Sequence, residues 1–299
     1  MLKLDVIGNS KIWLSLSAIS VLLSVILVIV YGLNFGIDFT GGTLMDVQFI
    51  QEVSSDDVRN AFSEIGYSST VQSGENGYVV RIEHITEEQH SQILTSLETK
   101  FGEVTENRYE TIGSVVGQEL KLSSIKAVII VLLLIGLYIA WAFRKVSDPI
   151  KSWKYGVITI IAAFHDVVIP LGAFAILGHF YGYEVNTAFI AALLTIMGYS
   201  INDTIVVFDR TRENLANHRF GSKSFSELVN LSIVQTFARS INTSFTTILA
   251  LIAVLIFGGE TTRPFVLALI IGIATGTYSS IFVASPLLVY WEKWKNNRE

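Results

Sequence analysis

The sequence has no cysteine, which excludes disulfides, thiolate zinc sites and iron–sulfur clusters and leaves the compartment open. It is also poor in charge: 16% of its 299 residues are Asp, Glu, Lys or Arg, against about 25% in a soluble globular domain. Base is scarcest in residues 34–124, which hold 5 Lys/Arg against 15 Asp/Glu, whereas the remaining residues hold 16 against 11. The formal net charge of −5 therefore averages two different objects. This profile excludes an ordinary soluble enzyme, a disordered chain and a nucleic-acid binder with a basic face.

What the chain has in abundance is apolar sequence. A bilayer core takes roughly 17–25 mostly apolar residues per helix. Six stretches reach that length, at about 12–33, 125–143, 155–178, 187–208, 240–258 and 265–291. The first has no small-x-small cleavage pattern after it and reads as an uncleaved anchor. With the N-terminus inside, the inner segments 1–11, 144–154, 209–240 and 292–299 hold 14 of the 21 Lys/Arg, and the short outer loops 179–186 and 259–264 hold only Arg263. Positive-inside then places both termini in the cytoplasm and the acidic segment outside. The predicted division is 1–33 for the N-terminus and first span, 34–120 for an extracytoplasmic domain, and 121–299 for spans two to six.

The acidic segment reads as a folded domain. Thr43–Ile50 alternates as a strand, and Ser54 opens an amphipathic helix that stops at Gly66. Ser69–Ser73 and Tyr78–Glu83 flank the turn signal Gly74-Glu-Asn-Gly77. Thr86 opens a second helix ending at Gly102, and Val104–Ile112 is the last strand. The order βαββαβ is ferredoxin-like. The expected fold is thus an α-helical polytopic membrane protein with six transmembrane helices and an extracytoplasmic α+β ferredoxin-like domain. His84 and His90 are read as surface residues, no His/Asp/Glu group has metal-ligand spacing, and no cofactor is expected.

Ionisable residues inside spans are costly and are functional candidates by default, at about 2.5–3.5 kcal/mol for an Asp at a helix centre. Asp166 beside His165 lies in the third span, and Asp203 beside Asn202 lies in the fourth, about 9 Å from Asp209 at its charged end. Arg239 opens the fifth span, which continues with Ser240, Thr243, Ser244 and Thr247 on one helical face. Tyr199, Ser200, Asp203 and Thr204 share a side of the fourth. An acid and a base at similar depth on two polar stripes point to a hydrated path or ion relay, in which Arg239 approaches and leaves Asp203. The hydroxyls alone also serve as helix glue. For Asp166 the residues leave ligation, relay and a purely structural role open, with Pro170 freeing backbone carbonyls nearby. Gly272 and Gly276 have small-xxx-small spacing, a packing signal. Ser224-Phe-Ser-Glu227 is a capping box for a short cytoplasmic helix through Phe237, and Asp209–Asn214 is a charged helix end at the headgroups.

Four motifs carry a resemblance. Gly36-Ile-Asp38-Phe39-Thr-Gly41-Gly42, Glu110–Gly117, Phe164-His165-Asp166 and Gly198-Tyr-Ser-Ile-Asn-Asp203-Thr-Ile-Val-Val-Phe-Asp209-Arg210-Thr-Arg-Glu-Asn214 resemble the SecF family. That family is the smaller membrane subunit of the SecD–SecF protein-export complex, within the resistance–nodulation–division superfamily. Ser114 stands where the family usually carries Pro, which removes a φ constraint at that turn. The resemblance implies a multi-pass protein of the bacterial cytoplasmic (inner) membrane, with SecD as the pseudosymmetric half, the SecYEG channel as partner and YajC as a further candidate. It implies proton or sodium gradient-driven pulling of preproteins on the outer side, while SecA hydrolyses ATP on the inner side. It also makes Asp203 the relay aspartate and Arg239 its arginine. No enzymatic reaction is expected. Two other readings are an intramembrane aspartyl protease using Asp166 and Asp203, and a stand-alone half-size lipid or drug exporter. Residues 198–203 lack the Gly-x-Gly-Asp pattern of such proteases.

Overall fold

A computed structural model describes residues 4–74, 77–144, 150–217 and 223–296. In chain order, helix α1 (Ser10–Tyr31) is followed by the single turn α2 (Ile37–Thr40), strand β1 (Gly42–Phe49) and α3 (Ser55–Glu64). Next come β2 (Thr70–Ser73), β3 (Tyr78–Ile82), α4 (Glu87–Phe101) and β4 (Val104–Ile112). The long helices α5 (Ser114–Ala142), α6 (Ser152–Tyr181), α7 (Thr187–Asn217) and α8 (Phe225–Phe257) precede α9 (Arg263–Ser279) and α10 (Ser285–Asn296). Residues 280–284 join the last two as one π-helical turn. The chain divides into two compact units, an α/β domain of residues 34–125 and 184–187 and a helical bundle of the rest.

In the α/β domain the strands lie in the order β2-β3-β1-β4, with β3 and β4 both antiparallel to β1. With helices after β1 and β3, this is the ferredoxin-like arrangement. Both helices open on capping boxes, Ser54 with Asp57 and Thr86 with Gln89, each of which satisfies two backbone donors at a helix start. The Ser54 partnership also holds the Asp57 carboxyl below its usual range. The core is Met45, Val47, Val58, Phe62, Val80, Ile93 and Leu97. Gly74 and Gly77 close the β2–β3 turn through a 2.8 Å backbone bond, while Glu75 and Asn76 lie outside the described residues. One expectation fails here. His84 is exposed, but His90 is buried, with Nε2 2.9 Å from the Glu106 carboxylate and its ring stacked on Tyr109. It falls on the face of α4 that carries Ile93 and Leu97.

Among the described residues, six helical segments are long and apolar enough to cross a membrane: α1, α5, α6, α7, α8, and the continuous stretch Arg263–Trp294. The third, fourth and sixth spans are buried over much of their length; α1, α5 and α8 expose rows of Ile and Leu. Gly272 and Gly276 sit where the last span meets α7: a Cβ on Gly276 would lie 2.8 Å from Ser200 Cβ, so only glycine permits that approach.

One expectation at the charged ends is corrected. No short helix stops at Phe237; α8 runs unbroken from Phe225 to Phe257, because no Gly or Pro interrupts it. As expected, the charged segment Asp209–Asn214 falls in the last turns of a helix, α7, which runs to Asn217, and here it pairs with α8. There Arg210 donates to Gln235 at 2.7 Å, and Asn214 donates to Ser232 at 2.8 Å and Gln235 at 2.9 Å. Asn230 of α8 ties down the chain before α1, accepting from Val6 and Ile7 N–H and donating to the Leu4 carbonyl.

Candidate functional site

The bundle's polar interior is built from α6, α7, α8 and the last span. Asp166 of α6 is completely buried. Its Oδ2 accepts from Ser200 of α7 at 2.5 Å and from Ser279 of α9 at 2.7 Å, and its Oδ1 lies 2.9 Å from His165 Nδ1. One carboxylate thereby joins three helices. Pro170 follows four residues later, so the Asp166 carbonyl has no helical N–H to meet. Hydrogen bonds to a charged group contribute roughly 1.5–3 kcal/mol each, so three offset the cost of an Asp at this depth.

Asp203 of α7 is placed differently. It is half-buried, and its Oδ1 accepts from Ser240 of α8 at 2.5 Å. Its Oδ2 is enclosed and has no hydrogen-bond partner among the described residues. Ser240 itself is buried, while its neighbour Arg239 is exposed and forms no ion pair with Asp203 among the described residues. Asn202 and Thr243 are exposed on their helices, and Gly198 has open space around it. Asp209 pairs with Arg212, and Arg210 with Glu213 at 2.6 Å.

Further along α8 a ladder of hydroxyls continues. The Tyr199 hydroxyl lies 3.4 Å from both Ser244 and Thr247, and Ser244 lies 2.5 Å from Thr277 of α9. Thr204 meets Ser280 at 2.9 Å, and Ser280 donates to the Ser200 carbonyl. Ser280 opens the π turn, where Ser285 Oγ donates to its carbonyl at 3.1 Å. Such one-turn widenings recur at functional positions. Sequence reasoning brought together Asp203, Ser240, Tyr199, Ser244 and Thr247, and it missed Thr277, Ser279 and Ser280. The signal was present as Thr277-Tyr-Ser-Ser280, four polar residues in an otherwise apolar span.

The two carboxylates share no hydrogen bond among the described residues, so the shared proton an aspartyl protease needs has no place here. The Asp166 Oδ2 holds two hydroxyl donors, whereas the Asp203 Oδ2 has none among the described residues.

The glycine-rich motif lies in the α/β domain. Asn34 O accepts from Val185 N–H at 2.7 Å and Gly36 N–H donates to Val185 O at 3.0 Å, a parallel bridge. Asp38 Oδ2 accepts from the Thr187 N–H at 2.8 Å and hydroxyl at 2.5 Å. Phe39 is buried, and Gly41 and Gly42 take φ of 73° and 124°, where a side chain would be strained. A Cβ on Gly36 would sit 2.9 Å from Glu184 Oε2. Glu184 forms an ion pair with Arg81 of β3. Burial pushes the Glu184 carboxyl above its usual range, against the pull of Arg81. No expectation had included Glu184 or Arg81.

Comparison with known proteins matches residues 92–294 to the family "Protein export membrane protein SecD/SecF, C-terminal" and residues 26–53 to the "SecD/SecF GG Motif". The protein translocase subunit SecF of Thermobaculum terrenum is 43% identical, over 97% of this chain and 94% of that one. The SecDF subunit of Thermus thermophilus is 40% identical over 90% of this chain and 35% of its own length. Among solved structures, the crystal structure of Thermus thermophilus SecDF, a translocon-associated membrane protein, superposes with a TM-score of 0.85 at 36% identity, over 97% of this chain. This chain spans 39% of that SecDF chain.

Proposed function

The chain belongs to the SecF family of protein translocase subunits, and from that premise we propose that Asp203 is the ion-relay carboxylate of a gradient-driven export device. The protein is a multi-pass membrane protein and an accessory subunit of Sec translocation. In the proposed working state a SecD partner supplies the other half of the bundle, as the SecDF relatives carry both parts in one name. The SecYEG channel, with YajC as a further candidate, receives the complex, and an emerging preprotein is its cargo. The membrane is the bacterial inner membrane with both termini cytoplasmic, supported by the 14 Lys/Arg on the inner segments. The work is mechanical, without a bond-making reaction.

The observation that carries the reading is the enclosed Oδ2 of Asp203, without a hydrogen-bond partner among the described residues, in contrast to the fully bonded Oδ2 of Asp166. A proton or sodium ion arriving along the Tyr199, Ser244 and Thr247 hydroxyls neutralises Asp203; Arg239 swinging in from its exposed position displaces it. Moving one charge down a 100 mV potential supplies about 2.3 kcal/mol, enough to bias a bistable helix pair. The test compares Asp203→Asn with the unaltered complex in export-competent membranes. Gradient-dependent stimulation of preprotein translocation should vanish while the complex still assembles. Full stimulation in that variant would overturn the relay.

A further inference from the structure

The α/β domain includes four residues, 184–187, that lie at the junction of α6 and α7 in the sequence. Every one of them is held. Glu184 pairs with Arg81, with Gly36 leaving room for the carboxylate. Val185 makes both backbone bonds of the bridge to residues 34–36 and is 2% exposed. Asn186 packs its Cβ side against Gly36. Thr187, the first residue of α7, gives both its N–H and its hydroxyl to Asp38. A carboxylate on the first N–H groups of a helix also meets the positive end of the helix dipole.

Asp203 is on that same α7, sixteen residues further along. Over that length a helix transmits axial movement as a rod, about 24 Å at 1.5 Å per residue. We propose that Asp38, Arg81 and Glu184 are positioning residues for ion-coupled export: they clamp the start of α7 into the α/β domain, so that a shift of α7 at Asp203 is delivered to that domain. The clamp rests on the relay reading above. It uses the charge pair for rigidity, because Arg81 is also braced by Gln72 at 2.9 Å and lies on a central strand rather than an edge. The glycine-rich motif then has a mechanical reason: Gly36 admits Glu184, and Asp38 caps α7.

The test uses the full chain with its partner complex in inverted membrane vesicles and reads the ratio of preprotein translocation with and without an ion gradient. Glu184→Arg and Arg81→Glu should each cut that ratio about fivefold or more, the range of an ordinary coupling energy, while gradient-independent translocation stays level. The double reversal, Arg81→Glu with Glu184→Arg, should restore it. A structural defect alone would lower both kinds of translocation and would not be rescued. Single reversals that assemble and keep the full ratio overturn the clamp, as does a double reversal without rescue. Where a reversal fails to assemble, Glu184→Ala decides, since it removes the side chain that meets Arg81: a reduced ratio supports the clamp and an unchanged one overturns it. Asp203→Asn is run alongside. A full ratio there overturns the relay, and loss there with full ratios in the clamp variants overturns the clamp alone.

Discussion

Two aspartates lie inside the spans, and their surroundings are opposite. Asp166 is wholly buried with Ser200, Ser279 and His165 around it; Asp203 is half-buried with Ser240 on one oxygen and no hydrogen-bond partner on the other among the described residues. The difference separates two uses of a costly group. A carboxylate with its acceptor sites filled holds helices together, and one with an empty site can change its occupant. On the relay reading proposed above, the fully satisfied acid is the structural one and the incompletely satisfied acid is the one that works. The largest effect that could break this contrast is on stability. Asp166→Ala would leave the Ser200 hydroxyl and an imidazole nitrogen without their partner, and each buried polar group so stranded costs about 1–3 kcal/mol. Thermal unfolding of the purified protein should show that loss, with Asp203→Ala losing far less and failing in gradient coupling instead. Equal destabilisation by the two would erase the distinction.

A finer cut uses the serines. Ser200→Ala and Ser279→Ala each remove one of several donors from Asp166, an expected loss of about 1–3 kcal/mol apiece. Because both bond the same Oδ2, their effects should be non-additive in a double-mutant cycle. Ser240→Ala removes a hydrogen-bond donor of Asp203 and should move the pH dependence of gradient-stimulated export while changing the unfolding temperature little. A Ser240→Ala protein with an unaltered pH profile would sever the serine from the relay.

Much of this was legible beforehand. Capping boxes, alternating strands and glycine stops are local signals, so the α/β domain and its order could be read from Ser54, Thr86, Gly66 and Gly102. Asp203, Ser240 and Tyr199 were also readable, because a polar stripe on a helix repeats at a fixed spacing. What escaped was non-local. Nothing in the spacing of one helix shows that Ser279 meets Asp166, which lies 113 positions away. The same holds for Glu184, a lone acid in a short loop, whose partner Arg81 sits on a strand in another part of the sequence. His90 was misjudged because a polar residue in an acidic helix reads as solvated, and only the fold brings Glu106 and Tyr109 to it. The unbroken α8 was missed for the opposite reason: the change in composition at Phe237 looked like a boundary, yet nothing there breaks a helix.

Glu184 offers the smallest effect and a third carboxylate against which to sharpen the contrast. Its side chain is 14% exposed and faces Arg81, with Arg108 and Asp38 also in its field. Burial raises its folded pKa above the ordinary 4.5, so the clamped state binds the proton more tightly than the released one. Between those two pKa values the clamped state carries more protons, and by linkage its stability falls as pH rises through that window and levels off above it. Hydrogen exchange at the Val185 and Thr187 amides, corrected for intrinsic rates, should therefore show protection declining over that interval in the unaltered protein. Glu184→Gln, which cannot titrate, should remove the decline. A protection profile that rises with pH would mean that attraction to Arg81 outweighs burial, and would place Glu184 with Asp166, among the carboxylates held by their partners.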